Sequence, residues 1–581
     1  MTIYSAPLLD MQFAIQEFGG FDDWQHLEGA EDWSAELLEA ILDQASKFAN
    51  GVLSPLNRTG DMQGAQWVDG RVLAPDGFRD AYQQFIAAGW SGLSADPLWG
   101  GQGLPYSLAM MVQEIWNSAN MAFCLCPMLT TGVQETLKRH GSAQLQNSYL
   151  RKLVSGEWTG TMNLTEPQAG SDLSAIRTRA VPEDDYFRIT GTKIYITWGA
   201  HDLAENIVHL VLARLPDAPE GVKGISLFVV PQYLPNAEGE CGEMNDVRCV
   251  SIERKLGIHA SPTCVMSYGD HKGAIGYLVG EPHHGLGYMF TMMNHARLGV
   301  GVEGLAIAES AYQQALLYAR SRVQGRLPGV REGERVSIIE LPDVKRMLLT
   351  MRASIDAMRA LCCYMAGMMD RSHRHHDHQQ RIAAKARLDL LNPVAKGWCT
   401  ENAVDLVSMA MQVHGGTGYI EATGIAQCYR DIRITTIYEG TTAIQANDLV
   451  NRKLGLDGGA EMLALIDEMR GLKLNIQVAD NQMQLLIDHY LNALLSFERA
   501  TKWVVSQSRH PMAVAAVAVT YMRMTGIVVG AWLMLRGASR LNTKMSVARF
   551  YIKNVLPQVS AYEQVIIAGA SSTLDFDSTL L

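Results

Sequence analysis

Glu439 stands in the run Arg430-Asp-Ile-Arg-Ile-Thr-Thr-Ile-Tyr-Glu-Gly-Thr-Thr-Ala-Ile-Gln445, among apolar, hydroxyl and glycine neighbours near the end of a long helical region. A carboxylate with Ile437 and Tyr438 before it and Gly440 after it can be presented to a cleft from a turn. Partial desolvation there raises its pKa toward the range useful to a general base. The same residues also fit a solvated turn followed by a threonine N-cap near Thr441.

Two glycine-containing loops have a different chemistry. In Asn163-Leu-Thr-Glu-Pro-Gln-Ala-Gly-Ser-Asp-Leu-Ser174, backbone N–H groups and hydroxyls lie beside a glycine that allows close approach, which suits a phosphate or a flavin edge. Gln412-Val-His-Gly-Gly-Thr-Gly-Tyr419 is a second such turn, after a helix expected to begin near Pro393. It fits neither a Walker loop nor the dinucleotide fingerprint Gly-x-Gly-x-x-Gly, and no βαβ unit surrounds it. His414 within it reads as a packing or hydrogen-bonding residue. The tract Arg371-Ser-His-Arg-His-His-Asp-His378 could offer metal ligands, but it reads as an exposed interhelical loop without the fixed second shell of a dedicated site, so no metal is expected.

The elements that must position these residues fall into segments. Residues 1–32 form an N-terminal extension. From 33 to 156 the apolar spacing is helical, as in Leu37, Leu38, Ile41, Leu42 and Ala45, with a short hairpin expected between Trp67 and Asp76. From 157 to 284 the period shortens to that of strands. Tyr186 to Thr197 alternates around an expected turn at Gly191, and Ile207–Leu212, Ile225–Val230 and Thr263–Tyr268 are short apolar runs. Helical spacing returns over 285–455, where Val344, Met347, Leu348, Met351, Ile355 and Met358 share one face as adaptable core. After Gly455-Leu-Asp-Gly-Gly459, read as a linker, a further helical region occupies 460–581. The fold class is α+β: an N-terminal helical domain, a central β domain, a C-terminal helical bundle and an additional helical domain.

Composition sets limits. The 581 residues carry a formal charge of -11, which gives no whole-surface attraction to nucleic acid. Residues 1–46 hold ten Asp or Glu and no Lys or Arg, unlike a secretory or transit segment, and the nine cysteines form no Cys-x-x-Cys pair. A cytoplasmic protein with reduced, packing cysteines is expected. Met512 to Leu535 has the length of a membrane span, but Arg523 divides it, so it reads as a buried helix and no integral span is expected. Residues 499–562 contain nine basic residues and no acidic one.

In this order and frame, Leu164-Thr-Glu-Pro-Gln-Ala-Gly-Ser-Asp172, Ile194-Tyr-Ile-Thr197, Arg297 opening a helix, Arg322-Val-Gln-Gly325, Gln412-Val-His-Gly-Gly-Thr-Gly418 and Tyr438-Glu-Gly-Thr441 resemble the acyl-CoA dehydrogenase family, in its large bacterial form with an extra C-terminal helical domain. The resemblance implies non-covalent FAD. Met162, Leu164, Thr165, Gly170, Ser171, Tyr195 and Thr197 match positions at the flavin ring and pyrophosphate, while Arg322, Gln324, Gln412, Val413, Gly415, Gly416 and Thr441 match contacts that include those across a homodimer. Ser171, Asn294, Arg297, Tyr438 and Gly440 match substrate contacts. Glu439 matches the base that removes the pro-R α-proton of an acyl-CoA as the β-hydride leaves, with the Glu439 backbone N–H in an oxyanion site. Ala296 occupies the position where some relatives carry the base instead. The segment at 322–325 is shorter than the family's usual Arg-x-x-Phe-Gly type. The product would be a trans-2-enoyl-CoA of fatty acid β-oxidation, with electrons passing to an electron-transfer flavoprotein. An acyl-CoA oxidase shares the same proton and hydride steps, and a related alkylation-response flavoprotein binds DNA through a basic C-terminal region like 499–562.

Overall fold

An eight-stranded sheet spans residues 158–278 in the computed structural model, which describes residues 4–475 and 481–580. Its strands are β1 (Trp158–Asn163), β2 (Arg179–Glu183), β3 (Tyr186–Thr197), β4 (Asn206–Arg214), β5 (Ile225–Pro231), β6 (Val247–Ile252), β7 (Thr263–Tyr268) and β8 (Ala274–Leu278). They run β6-β7-β3-β8-β5-β4-β1, with β2 pairing β3 and β4. The central β4 and β5 are buried on both faces, which is why they read as continuous apolar runs instead of alternating ones.

The expected turn at Gly191 is absent: β3 is one strand of 12 residues. Gly191 serves close approach, because a Cβ there would come within 2.5 Å of the Thr178 hydroxyl. The irregularity comes later. Lys193 pairs with Met266 and Ile196 with Cys264, so Ile194 and Tyr195 together face Val265 in a β-bulge, and Tyr195 takes a left-handed φ of 60°. The expected hairpin is present, with Gln66–Val68 paired to Arg71–Leu73. Its turn residues Asp69 and Gly70 both have positive φ, as the twist-matched hairpin turn requires.

The chain divides into two compact units, one of residues 44–104 and 115–296, which holds the sheet, and one of 1–43, 105–114 and 297–581. The helices that matter below are α1 (Gly285–Ser321), α2 (Pro342–Arg374), α3 (His378–His414), α4 (Thr442–Asn447) and α5 (Pro511–Arg540). Three expectations change here. Arg297 lies well inside α1 and does not open it. Pro393 is interior to α3, buried within a helix that starts at His378, where the Asp377 side chain caps the Gln379 N–H at 2.7 Å. The histidine tract is mostly the last turn of α2, so only residues 375–377 form the interhelical turn, and the strong N-cap at Asp377 keeps it short. Among the described residues no group of three or more His, Cys, Asp or Glu is arranged to hold a metal.

The proposed linker is a tight turn closed by Asp457, whose carboxylate accepts from the backbone of Gly459 and Glu461 at 2.8 and 2.9 Å. Helix α5 is long and apolar enough to cross a membrane by length and composition. It buries every residue from Met524 to Leu535 inside its unit, as a helix apolar all round does when it forms a core. Gly526 is required there, since a Cβ would press within 2.2 Å of the Trp398 ring of α3. The basic run is mostly paired: Arg499 with Glu563, Lys502 with Glu498, Arg523 with Glu401, Arg536 and Arg540 with Glu17, and Lys544 with Asp10. These pairs give the acid-free stretch carboxylate partners on other elements of its own unit, as packing of basic helices against an acidic remainder requires.

Candidate active site

Glu439 occupies the bend between the 3-10 turn Arg433–Thr436 and α4, with φ of 55°. A left-handed glutamate is uncommon and costs on the order of 1 kcal/mol or more, so its surroundings must hold it. They do so through its backbone. Gln445 Nε2 donates to the carbonyls of Glu439 and Gly440 at 3.0 and 3.2 Å, and Lys396 Nζ donates to the Gly440 carbonyl at 2.7 Å. Gly440, at φ 90°, admits no side chain, because a Cβ would sit 2.6 Å from Gln445 Nε2. Thr441 caps α4, accepting from Ile444 N, so the cap expected from the sequence and the presented carboxylate coexist.

Glu439 is half-buried as a residue, while its Oε2 is buried and makes no hydrogen bond. Burial pushes the Glu439 carboxyl up to about 7, and the charges of Arg297 and Lys396 keep it from rising further. Arg297 is 3% exposed and pairs with Asp448 at 3.2 Å. Lys396 is fully buried, and burial pulls its ammonium down to about 8 against the pull of Glu439 and Glu303. Glu303, on α1, is also fully buried; its Oε2 accepts from the Tyr438 hydroxyl, and burial raises it to about 8. Burial and the charge of Glu439 both favour the neutral form of Glu303, and the Tyr438 hydroxyl bond works against them. A reaction that needs Glu439 as the anion should climb in kcat/KM about tenfold per pH unit below pH ~7 and level off above it. A pH profile flat between pH 5 and 8 would contradict this.

Sequence reasoning placed Glu439, Tyr438, Gly440, Thr441 and Arg297 together, and the structure brings them together. It missed Lys396, Glu303, Gln445 and Asp448. A lone acid in the apolar run Gly301-Val-Glu-Gly-Leu-Ala-Ile307 was the available signal for Glu303.

In the same unit, Arg322 and Gln324 lie in an exposed loop that follows α1, and Gly415 and Gly416 leave open space where side chains would stand. Tyr318 ties these stretches together: its ring stacks on His414 at 4.6 Å and its hydroxyl accepts from Thr417. His414 is thus the packing residue expected. Gln412 is exposed, but Val413 is 4% exposed and turns its side chain into the core, leaving only its backbone to contact a ligand.

In the sheet-containing unit the remaining residues also converge. Ile194 N donates to Thr165 O at 2.9 Å, so the loop after β1, which carries Thr165, Gly170 and Ser171, lies along the strand that carries Tyr195 and Thr197. A buried ion pair fixes this contact, with Lys193 Nζ donating to Glu166 Oε1 at 2.8 Å and to Leu164 O at 2.9 Å. Burial raises the Glu166 carboxyl, but Lys193 and the Thr178 hydroxyl more than offset it, leaving it at about 2. Neither partner was singled out from the sequence. Tyr195 is 61% exposed at the bulge, Gly170 and Ser171 are exposed, and Met162 and Thr197 are partly covered, while Leu164 is nearly buried. Asn294, in α1, is half-buried. An exposed aromatic, a hydroxyl strand end and a glycine loop with open backbone are what the edge of a flavin requires, so these residues fit FAD.

Family comparisons cover most of the chain. Residues 35–157, 161–270 and 283–454 match the N-terminal, middle and C-terminal domains of acyl-CoA dehydrogenase, and 465–577 match an acetyl-CoA dehydrogenase C-terminal-like domain. The chain is 43% identical to 3-methylmercaptopropionyl-CoA dehydrogenase of Ruegeria pomeroyi, over 98% of this chain and 99% of that one. It is 32% identical to a butyryl-CoA dehydrogenase of Syntrophomonas wolfei, over 97% of each. The fold resembles that of an acyl-CoA dehydrogenase from Bacillus anthracis solved with FAD, with a TM-score of 0.76 and 19% identity over 98% and 93% of the two chains.

Proposed function

The chain belongs to the acyl-CoA dehydrogenase family, flavoproteins that bind FAD and oxidise acyl-CoA, and from that premise we propose that Glu439 is its catalytic base and a short acyl-CoA its substrate. The single observation that carries the base assignment is a buried carboxylate with an unpartnered oxygen, poised at about 7 and held on a left-handed turn by Lys396 and Gln445.

FAD, when bound, supplies the acceptor for the β-hydride; Thr165, Gly170, Ser171, Tyr195 and Thr197 would hold its ring and pyrophosphate, Arg322, Gln324, Gln412, Gly415 and Gly416 would meet the FAD of a second copy of the chain, and Thr441 matches a further contact. Glu439 Oε2 takes the α-proton. Its neighbour Glu303 is pushed toward its neutral form, which limits the repulsion on the anion. Lys396 and Arg297 keep the carboxylate from becoming so basic that it stays protonated. The backbone N–H of Glu439 is offered to the thioester oxygen, where enolate charge develops.

Short acyl chains are supported by two relatives, whose names specify 3-methylmercaptopropionyl-CoA and butyryl-CoA, while a third, from Mycobacterium tuberculosis and 32% identical, is named a broad-specificity linear acyl-CoA dehydrogenase. Anaerobic mixing of the FAD-loaded protein with acyl-CoAs of graded length, read by flavin absorbance, should bleach the flavin fastest with C3–C4 backbones, including the methylthio-propionyl thioester. Bleaching only with long chains would overturn the substrate assignment.

The proposal extends to an electron-transfer flavoprotein as acceptor, since both relatives are named dehydrogenases; rapid turnover with dioxygen alone would contradict it. It extends also to a homodimer. Leu327, Val330, Tyr419 and Ile420 are exposed apolar side chains beside the FAD-matching loops, and Tyr419 is 86% exposed. Sedimentation of the FAD-loaded protein as a monomer would exclude that. A cytoplasmic setting accords with nine cysteines that form no disulfide, and appearance of the protein in a periplasmic or secreted fraction would refute it.

A further inference from the structure

We infer that Met522 and Arg523, neighbours on α5 in the helical region appended beyond residue 459, are positioning residues for the catalytic turn. The inference rests on Glu439 as the base.

Arg523 reaches the turn through one intermediary. Its Nη2 donates to Glu401 Oε2 at 3.0 Å, and Glu401 Oε1 accepts from the Thr442 hydroxyl. Thr442 is the first residue of α4, directly after the Glu439-Gly440-Thr441 bend, and its hydroxyl also lies 3.4 Å from the Thr436 carbonyl on the other side of that bend. One carboxylate on α3 thus ties the start of α4 to a cation on α5.

Met522 acts on the other side. It is fully buried against Gly397, so close that a Cβ on Gly397 would lie 2.4 Å from Met522 Sδ and 3.3 Å from Gln445 Cβ. Gly397 follows Lys396, and Lys396 and Gln445 are the two side chains that hold the Glu439 and Gly440 carbonyls. Met522 therefore packs against the backbone next to Lys396, on the flank that Gln445 also borders, and the glycine at 397 is what lets α5 come this near. Arg523 is the one charged residue inside the apolar stretch Met512 to Leu535, and its partner carboxylate is shared with the catalytic turn.

A merely structural role predicts something different. The Arg523–Glu401 side chains are 39% and 26% exposed, and such a pair contributes little to stability. Its loss should leave the thermal midpoint nearly unchanged, whereas a base displaced by a fraction of an ångström loses rate.

The test uses the full-length, FAD-loaded protein with Arg523→Gln, Arg523→Lys, Met522→Ala and, as reference, Glu439→Gln. Arg523→Gln and Met522→Ala should each slow anaerobic flavin reduction at saturating acyl-CoA by about tenfold, with KM and FAD content within about twofold of wild type, and Arg523→Lys should recover most of the loss. If Met522→Ala does not fold, Arg523→Gln alone decides. Reduction rates within twofold of wild type for Arg523→Gln while Glu439→Gln is inactive would overturn the inference. Loss of FAD or a fall in thermal midpoint that accounts for the rate would overturn it as well. Should Glu439→Gln itself keep its rate, the base assignment fails instead, and the two failures are told apart.

Discussion

Replacing Glu439 with Gln is expected to lower the rate of flavin reduction by acyl-CoA by at least about 10³-fold, while FAD content and acyl-CoA affinity stay within a few fold of wild type. General-base groups contribute roughly 10² to 10⁴ in rate, and the upper part of that range applies where no second carboxylate can substitute. Here the buried acid Glu303 is pushed toward its neutral form and engaged by the Tyr438 hydroxyl, so it is a poor replacement base. Shape argues for intact binding. The amide keeps the size of the carboxylate, and the bonds from Lys396 and Gln445 go to backbone carbonyls that the substitution leaves in place. Stopped-flow absorbance with a titration of a non-reacting acyl-CoA separates the two effects. A large loss of affinity with the rate at saturation unchanged would mean that Glu439 binds substrate without taking its proton.

The second large effect is expected far from the proton. Lys193→Met should destabilise the protein by roughly 3–5 kcal/mol and release FAD, because it leaves Glu166 charged and buried with its cation removed. Lys193 and Glu166 are 0% and 4% exposed, so water cannot take over the lost role. The pair also fastens the loop of Thr165, Gly170 and Ser171 to the strand of Tyr195 and Thr197, which links its loss to cofactor retention. Burial pulls the Lys193 ammonium down to about 8, which offsets part of the pair's gain, and the acid side of the pH dependence comes from Glu166. The Glu166 carboxyl is held at about 2, below its ordinary value near 4, so its contribution is present above pH ~4 and fades as pH falls through about 2. A thermal midpoint for Lys193→Met within a degree or two of wild type, with full FAD content, would contradict this reading of the pair.

The residues legible in the sequence were those whose chemistry is written locally. Tyr438-Glu-Gly-Thr441 announces a presented acid, a residue that must tolerate a left-handed turn and a cap within four positions, and the loops at 164–172 and 412–418 announce open backbone. What remained hidden depends on partners far apart in the chain. Lys193 meets Glu166 across 27 residues, Tyr438 meets Glu303 across 135, and Lys396 meets Gly440 across 44. Nothing in the neighbourhood of any one of them names the other. Local signals misled where one residue type serves two purposes. Gly191 was read as a turn because glycine breaks strands, but the strand continues and the glycine makes room for Thr178. Pro393 was read as a helix start because proline is favoured there, yet α3 absorbs it in a buried stretch where packing outweighs the lost hydrogen bond. The basic run 499–562 fits packing against the acidic remainder of the chain as well as a binding surface, and its partners at Asp10, Glu17 and Glu401 are far away in sequence.

The central claim, that Glu439 takes the α-proton, is tested most directly by exchange in D2O. The substrate is an acyl-CoA analogue with sulfur in place of the β-carbon, which has an acidic α-proton but no β-hydride to lose. FAD-loaded wild-type protein should incorporate deuterium at the α-carbon, and Glu439→Gln with the analogue bound should incorporate none above background. Equal exchange by the two proteins would place the base elsewhere and contradict the account.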